Sequence, residues 1–300
     1  MKPVVSRSHS AISVVNALAT GRGSAIGIDI WCSVKARFIS QPIGKKGKVI
    51  VDSPVRDHHH LIQKCVEHAE KSFKLLIPEG KALSLSISSD IPPAVGLKSS
   101  SAISVAAVEA MAKLSGSEAD YKSILRASCK ASKESGASLT GAYDDASACL
   151  LGGFVLTDNK RFRLLKHSRI PDSLGRLVLL RVPSRQRRFT SSVDTSAYSS
   201  FKPESMKAFE FARRGEIAQA MMLNSIIQCS ALGYSFEPVS SAISAGASAA
   251  GVSGKGPAVF ALCNSEKVVD GIEGRWREET KEHLRIIRTQ IVQPERVVAT

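Results

Sequence analysis

The run Pro92-Pro93-Ala94-Val95-Gly96-Leu97-Lys98-Ser99-Ser100-Ser101-Ala102 places a glycine turn and three consecutive hydroxyls just ahead of an apolar-periodic segment. In that segment Ala102, Val105, Ala106, Val108, Ala110, Met111 and Leu114 keep one face apolar at helical spacing, and Gly116 closes it as a C-terminal cap. The serines therefore fall on the first turn of a helix. Backbone N–H groups there lack intrahelical acceptors, and the aligned peptide dipoles present about +0.5 charge, so the chemistry on offer is capture of a polyphosphate. A serine N-cap would use one hydroxyl rather than three.

A second group of reactive side chains follows. Gly136-Ala137-Ser138-Leu139-Thr140-Gly141-Ala142-Tyr143-Asp144-Asp145 is a small-residue loop ending in paired carboxylates, with Glu134 upstream. Acid groups in such surroundings suit magnesium and phosphoryl transfer. Adjacent aspartates are not expected to face one site together. One should point into a cleft while the other caps the short Ala/Ser-rich helix that follows. A third stretch, Ala249-Ala250-Gly251-Val252-Ser253-Gly254-Lys255-Gly256-Pro257, imitates the end of a Walker A motif but has Ala249 and Gly256 where that motif requires glycine and Ser or Thr. It fits a functional glycine loop or a tight turn admitting the strand Ala258 to Leu262.

Period-2 alternation over 82–88 predicts a half-buried strand running into the phosphate turn, and 25–38 and 49–51 also read as strands, joined by a turn at 42–48. Leu61, Ile62, Cys65, Val66, Ala69 and Phe73 predict a first helix, and 121–135 another. Strands at 154–156, 162–165 and 177–182 precede helices at 203–212, 216–229 and 238–247, a final helix at 267–280 and an edge strand at 284–292. Helices and strands intermix without strict alternation, which predicts an α+β chain of two lobes, 1–160 and 161–300, with the boundary near 155 to 175.

Three hundred residues with 43% apolar and 23% charged content support a large core and exclude a disordered chain. The 41 Lys+Arg against 27 Asp+Glu give a net +14, which favours anionic partners. The basic stretches 181–188 and 275–288 lack the interleaved aromatics of an RNA-binding sheet, so a small anionic molecule is expected rather than nucleic acid. Six scattered cysteines without a C-x-x-C pair exclude a disulfide framework and a zinc site, and predict reduced thiols in a cytoplasmic protein. His58-His59-His60 reads as a solvated helix start. No apolar run approaches the roughly 18 residues that would span a bilayer. Lys2, Arg7 and the mildly apolar Ala11 to Ala19 imitate a signal peptide, but His9, Ser10, Ser13 and Asn16 interrupt the apolar stretch, which places this segment in the fold. Oligomeric state has no signature in the sequence.

In this order the three motifs resemble those of the GHMP kinases, whose phosphate loop P-x-G-x-G-L-x-S-S-A matches Pro92, Ala94, Gly96, Leu97, Ser99 and Ser100 with an extra serine, while Ala94 and Lys98 replace common glycines. Gly96-Leu97-Lys98-Ser99-Ser100-Ser101-Ala102, Thr140 to Ala146, Ser253 to Ala258 and Asn16 to Ala25 look like the archaeal-type shikimate kinases within them. The resemblance implies the two-lobed fold with mixed and antiparallel sheets, a nucleotide cleft between the lobes, and use of ATP and Mg²⁺ to phosphorylate the 3-hydroxyl of shikimate, with homoserine or mevalonate as alternative acceptors. Carried over residue by residue, it makes 92–102 the ATP-phosphate loop, joined by Gly254 and Gly256, Ser100 and Glu134 the magnesium contacts, and Asp145 the catalytic aspartate. Lys98 or the glycine loop would offset developing charge. Asn16, Thr140 and either Arg22 or Arg56 would hold the acceptor, an arginine being expected for a carboxylate.

Overall fold

The computed structural model describes residues 2–41, 49–53, 58–184, 195–280 and 283–300. The turn 42–48, Arg56 and the basic cluster 185–188 fall outside them. The first strand, β1 (Val4–Val15), was not expected as a strand. Its polar residues are the reason it folds as one: Ser6, Ser8, Ser10 and Ser13 are buried, and the Ser8 and Ser10 hydroxyls donate to the Ala102 and Leu97 carbonyls at 2.7 and 2.8 Å. The hydroxyls that spoil an apolar leader pattern thus seat the start of the phosphate-loop helix.

The long strand β2 (Arg22–Ser40) pairs along one edge with β1. Its other edge pairs first with β5 (Phe154–Asp158) and then with β4 (Lys81–Ser89). With parallel β3 (Val49–Asp52) and antiparallel β6 (Arg163–Ser168) this makes a six-stranded mixed sheet. Against it lie α1 (His58–Phe73), α2 (Ser99–Leu114), α3 (Tyr121–Glu134) and α4 (Tyr143–Leu151). The central helix α2 is rich in Ala and Ser and buried on nearly every face, because small side chains let the sheet and three helices approach its backbone together. Gly116, at φ +75, ends it as expected. At the start of α1, His58 is buried beside the Ser53 hydroxyl rather than solvated, while His59 and His60 are exposed.

The chain leaves the first sheet after Ser168 and enters the second at β7 (Leu177–Pro183). Helices α5 (Lys202–Arg214), α6 (Ile217–Leu232) and α7 (Glu237–Ser244) precede β8 (Ala249–Val252), β9 (Val259–Cys263), α8 (Glu266–Glu278) and β10 (Leu284–Gln290). The second sheet is antiparallel in the order β10-β7-β9-β8, with β10 at an edge as expected. Residues 249–252 are strand rather than loop, so the glycine turn contracts to 253–256. One buried cluster runs from β1 and α2 to Val178, Ala208 and Phe260, tying the two halves into a common core. A second gathers around fully buried Trp276, whose Nε1 donates to the Pro238 carbonyl at 2.8 Å. Among the described residues no helix is long and apolar enough to cross a membrane.

Candidate active site

One cleft collects the chemical residues of both halves. Ala94, Gly96, Leu97, Lys98, Ser99, Ser100 and Ser101 line it together with Ser13, Asn16, Leu18, Thr140, Asp144, Asp145, Gly254 and Lys255. The three serines occupy the first turn of α2, as its sequence predicts. The loop before them is built from left-handed residues: Ala94 at φ +59, Gly96 at +89 and Lys98 at +63. Ala94 and Lys98 therefore keep a backbone that glycine would adopt freely, at a cost of about 1 kcal/mol each. At Gly96 the requirement is spatial as well, since an added Cβ would run into the Ser253 carbonyl. The remaining loop residues stand behind the lining. Val95 is buried and its carbonyl accepts from Ala258 N–H at 3.1 Å, Pro92 and Ala102 are buried, and Pro93 is half-buried. Gly256 closes the 253–256 turn by donating to the Ser253 carbonyl at 2.8 Å.

Ser13, which sequence reasoning passed over, is the junction. Its hydroxyl accepts from Lys98 Nζ at 2.6 Å and from Gly254 N–H at 3.0 Å, so β1, the phosphate loop and the glycine turn meet at one oxygen. The Ser253 hydroxyl adds a bond to the Gly96 carbonyl at 2.8 Å. Lys98 in turn pairs with Asp145 Oδ1 at 2.9 Å, with side chains 6% and 18% exposed. The lysine is held inside while the carboxylate keeps an open side. Asn16 donates Nδ2 to the Gly254 carbonyl at 3.0 Å, and its own N–H is held by Asn224 Oδ1 at 2.8 Å.

Asp144 corrects an expectation. It does not cap α4. Ala142, left-handed at φ +49 and with no side-chain cap, takes that position, and both aspartates sit on the first turn and reach the cleft. Asp144 is fixed from behind by buried Asn159, whose Nδ2 donates to Oδ1 at 2.8 Å while its Oδ1 accepts from Asp144 N–H at 3.2 Å and from Thr157 Oγ1 at 2.7 Å. Gly23 has to be glycine because a Cβ there would occupy the place of the Asp144 carboxylate. Burial, and next the neighbouring Asp145, push the Asp144 carboxyl well above the ordinary carboxylate range, against the opposing pull of Lys98 and the Asn159 bond.

A carboxyl whose pKa is raised on folding costs nothing while both states are protonated. Its penalty grows as pH rises past the unfolded value of about 4 and is complete above the folded one. Asp144→Asn, which keeps the acceptor for Asn159, is therefore expected to stabilise the chain by on the order of 2 kcal/mol at pH 8 and by almost nothing at pH 4. Thermal melts of both proteins across that range check it, and a gain that is the same at both ends would show that Asp144 is not buried as an acid.

Two expected site residues are not part of the cleft lining. Arg22 is outside the cleft lining, with its guanidinium over the Phe209 ring at 5.4 Å. Glu134 is also outside it, half-exposed and paired with His68 Nε2 at 3.0 Å. The acid donors that the cleft itself offers are Asp144 and Asp145. Together with the Ser100 hydroxyl they fit a Mg²⁺ ion, which binds through one or two carboxylates and otherwise through phosphate oxygens and water.

Comparison with known proteins agrees with this geometry. Residues 60–153 match the N-terminal domain of the GHMP kinases and residues 205–282 their C-terminal domain. The chain is 35% identical to a shikimate kinase of Pyrococcus furiosus over 91% of its own length and 94% of the relative's. It is 36% identical to that of Thermococcus kodakarensis over 86% and 91%. In fold it is similar to the mevalonate kinase of Methanococcus jannaschii, with a TM-score of 0.74 at 16% identity over 97% and 99% of the two chains. A serine-lined helix start, a paired lysine and aspartate and a glycine turn converging on one cleft, in a chain matched along most of its length, make this protein a member of the GHMP kinases and, within them, of the family of the archaeal shikimate kinases.

Proposed function

We propose that this chain transfers the γ-phosphoryl group of ATP to the 3-hydroxyl of shikimate, releasing ADP and shikimate 3-phosphate. The observation that carries the reading is the Lys98–Asp145 pair, 2.9 Å apart, set beside the serine-rich start of α2 within one cleft. Names carried by relatives over nine-tenths of the chain supply the acceptor.

The free N–H groups and hydroxyls of Ser99 to Ser101 bind the triphosphate, with the helix dipole adding about half a charge. Mg²⁺, held by Ser100 and the cleft carboxylates, would neutralise phosphate oxygens. Glu134 would join that set only by leaving His68. Asp145 orients the acceptor hydroxyl and takes its proton as the new P–O bond forms and the bond to the ADP oxygen breaks. Lys98, a residue of the phosphate loop, is paired with this carboxylate, so its charge stands beside the reacting groups and offsets that of the transferring group. Thr140, on the cleft wall and 3.4 Å from Asn159 Nδ2, is positioned to contact the acceptor, as is Asn16. Phosphoryl transfer asks little covalent work of a protein, so positioning and charge supply most of the rate. An enzyme drawing on ATP whose six cysteines are buried and unpaired is expected to work in the cytoplasm.

An ADP-release assay with MgATP and shikimate, homoserine or mevalonate tests the acceptor. Turnover with shikimate at least about a hundredfold above the other two is expected, a margin of the size that a site built around substrate polar groups provides. Activity confined to homoserine or mevalonate would overturn the assignment.

A further inference from the structure

The first turn of α4 borders a second cavity. Asp144 and Asp145 line the cleft, while Tyr143, one residue earlier, lines a pocket of about 260 Å³ that shares no lining residue with it. Four side chains around this pocket are cationic, Lys122 and Arg126 from α3, Arg163 from β6 and Arg161 from the turn before it, and none is acidic. Among the described residues no carboxylate lies within ion-pair distance of any of the four. The neighbouring acids are engaged with main-chain N–H groups: Asp120 accepts from Ser123 at 2.8 Å and Asp158 from Arg161 at 3.2 Å. Lys122 Nζ stands 5.7 Å from the Tyr121 ring centre.

Tyr121, Tyr143 and Phe162 bring rings to the same pocket, the last two with centroids 5.9 Å apart. Cations around rings, without an acid among them, suit an anion with a flat apolar body. The volume falls just under the roughly 300 Å³ at which pockets for drug-sized ligands begin, so a single substituted ring fits. The pocket also touches the supports of the catalytic carboxylates. Phe162 is left-handed at φ +48, and its ring lies so close to Gly141 that a Cβ there would meet it at 2.7 Å. Its N–H donates to the Asn159 carbonyl at 3.4 Å, and Asn159 is the residue that fixes Asp144. One turn of chain thus carries both the pocket wall and the clamp.

We propose that this pocket is an effector site for a small aromatic carboxylate, whose binding slows phosphoryl transfer. Asp145 is seated against Lys98, so any displacement of Tyr143 and Phe162 that shifts the start of α4 takes the base away from that geometry. The probe is 3-phenylpropionate, titrated calorimetrically at constant ionic strength. Replacing two exposed arginines together, Arg126→Gln and Arg163→Gln, should weaken its binding by at least about tenfold, as for loss of charge-assisted hydrogen bonds. Neutral 3-phenylpropanol and ringless propionate should each bind at least about tenfold more weakly than the probe. In turnover assays the probe should lower kcat of the wild type by about fivefold or more, and the same concentration should leave the double variant, with its ordinary basal kcat, unaffected. Purely competitive inhibition against the acceptor, or binding that the double variant retains, would assign the probe to the cleft and overturn the proposal. Equal binding of propionate, or binding without a change in kcat, would overturn it as well. Should the double variant fail to fold, Arg161→Gln carries the same comparison. The kcat measurement uses whichever acceptor turns over, so a chain inactive on shikimate but active on homoserine overturns the functional reading and leaves this proposal to its own result.

Discussion

Asp145→Asn is expected to lower kcat by about a thousandfold, within the 10² to 10⁴ that a positioned general base contributes, while the melting temperature shifts by only a few degrees. The substitution is nearly isosteric and sits at the rim of the cleft, with 18% of the side chain exposed. Lys98 loses its ionic partner but keeps the Ser13 hydroxyl at 2.6 Å, so the loop stays seated. What disappears is a negative oxygen that can orient and deprotonate the acceptor, an interaction strongest in the transition state. KM for ATP should accordingly change less than about threefold, because the phosphates are held from α2. ADP release, nucleotide titration and thermal melting on the same preparation check the three parts. Normal turnover in this variant, with loss in Asp144→Asn, would transfer the role to the neighbour.

The second large effect is expected from Gly96→Ala. Two penalties coincide: φ is +89, and the new methyl would strike the Ser253 carbonyl, a main-chain atom that cannot rotate away. To admit it the phosphate loop must part from the glycine turn, breaking the Ser253 hydroxyl bond at 2.8 Å and the Val95–Ala258 bond at 3.1 Å. A cost of about 3 kcal/mol is expected, from one strained residue and two hydrogen bonds, one of them only partly buried, with at least about a hundredfold loss of kcat/KM for ATP. Gly80→Ala is the control. Gly80 is left-handed at φ +70 with nothing within 4 Å of an added Cβ, so it should cost about 1 kcal/mol and leave nucleotide use unchanged. Denaturant melts and ATP saturation curves separate the two sites, and equal losses at both would remove the loop contact as the cause.

Local chemistry was legible in the sequence where it depended on neighbours in the chain. The serines had to fall on the first turn of α2 because hydroxyls, a glycine turn and the apolar period lie in register within twenty-odd residues. Asp145 stands in the cleft for a similar reason, at the mouth of a helix announced by small residues. What the sequence does not display are the contacts that join distant segments. The link from Ser13 to Lys98 spans 85 positions and that from Ser13 to Gly254 spans 241, and nothing in a local window marks that serine. Glu134 ends α3 as expected, yet its partner His68 comes from α1, so helix packing sets its direction. The Asp144 expectation assumed that a cap must be polar. Ala142 takes the position through left-handed backbone alone, which leaves both acids on the first turn.

The single oxygen at which β1, the phosphate loop and the glycine turn meet has a bearing on how this enzyme could be divided. A chain cut between Ser168 and Leu177 would leave the polyphosphate grip and the base in one fragment and the glycine turn 253–256 in the other. Because the buried cluster that includes Ile12 and Ala102 also includes Val178 and Phe260, each fragment would expose apolar surface that the other covers. Turnover would then report reassembly of the pieces, as in a complementation reporter, rather than belong to either one.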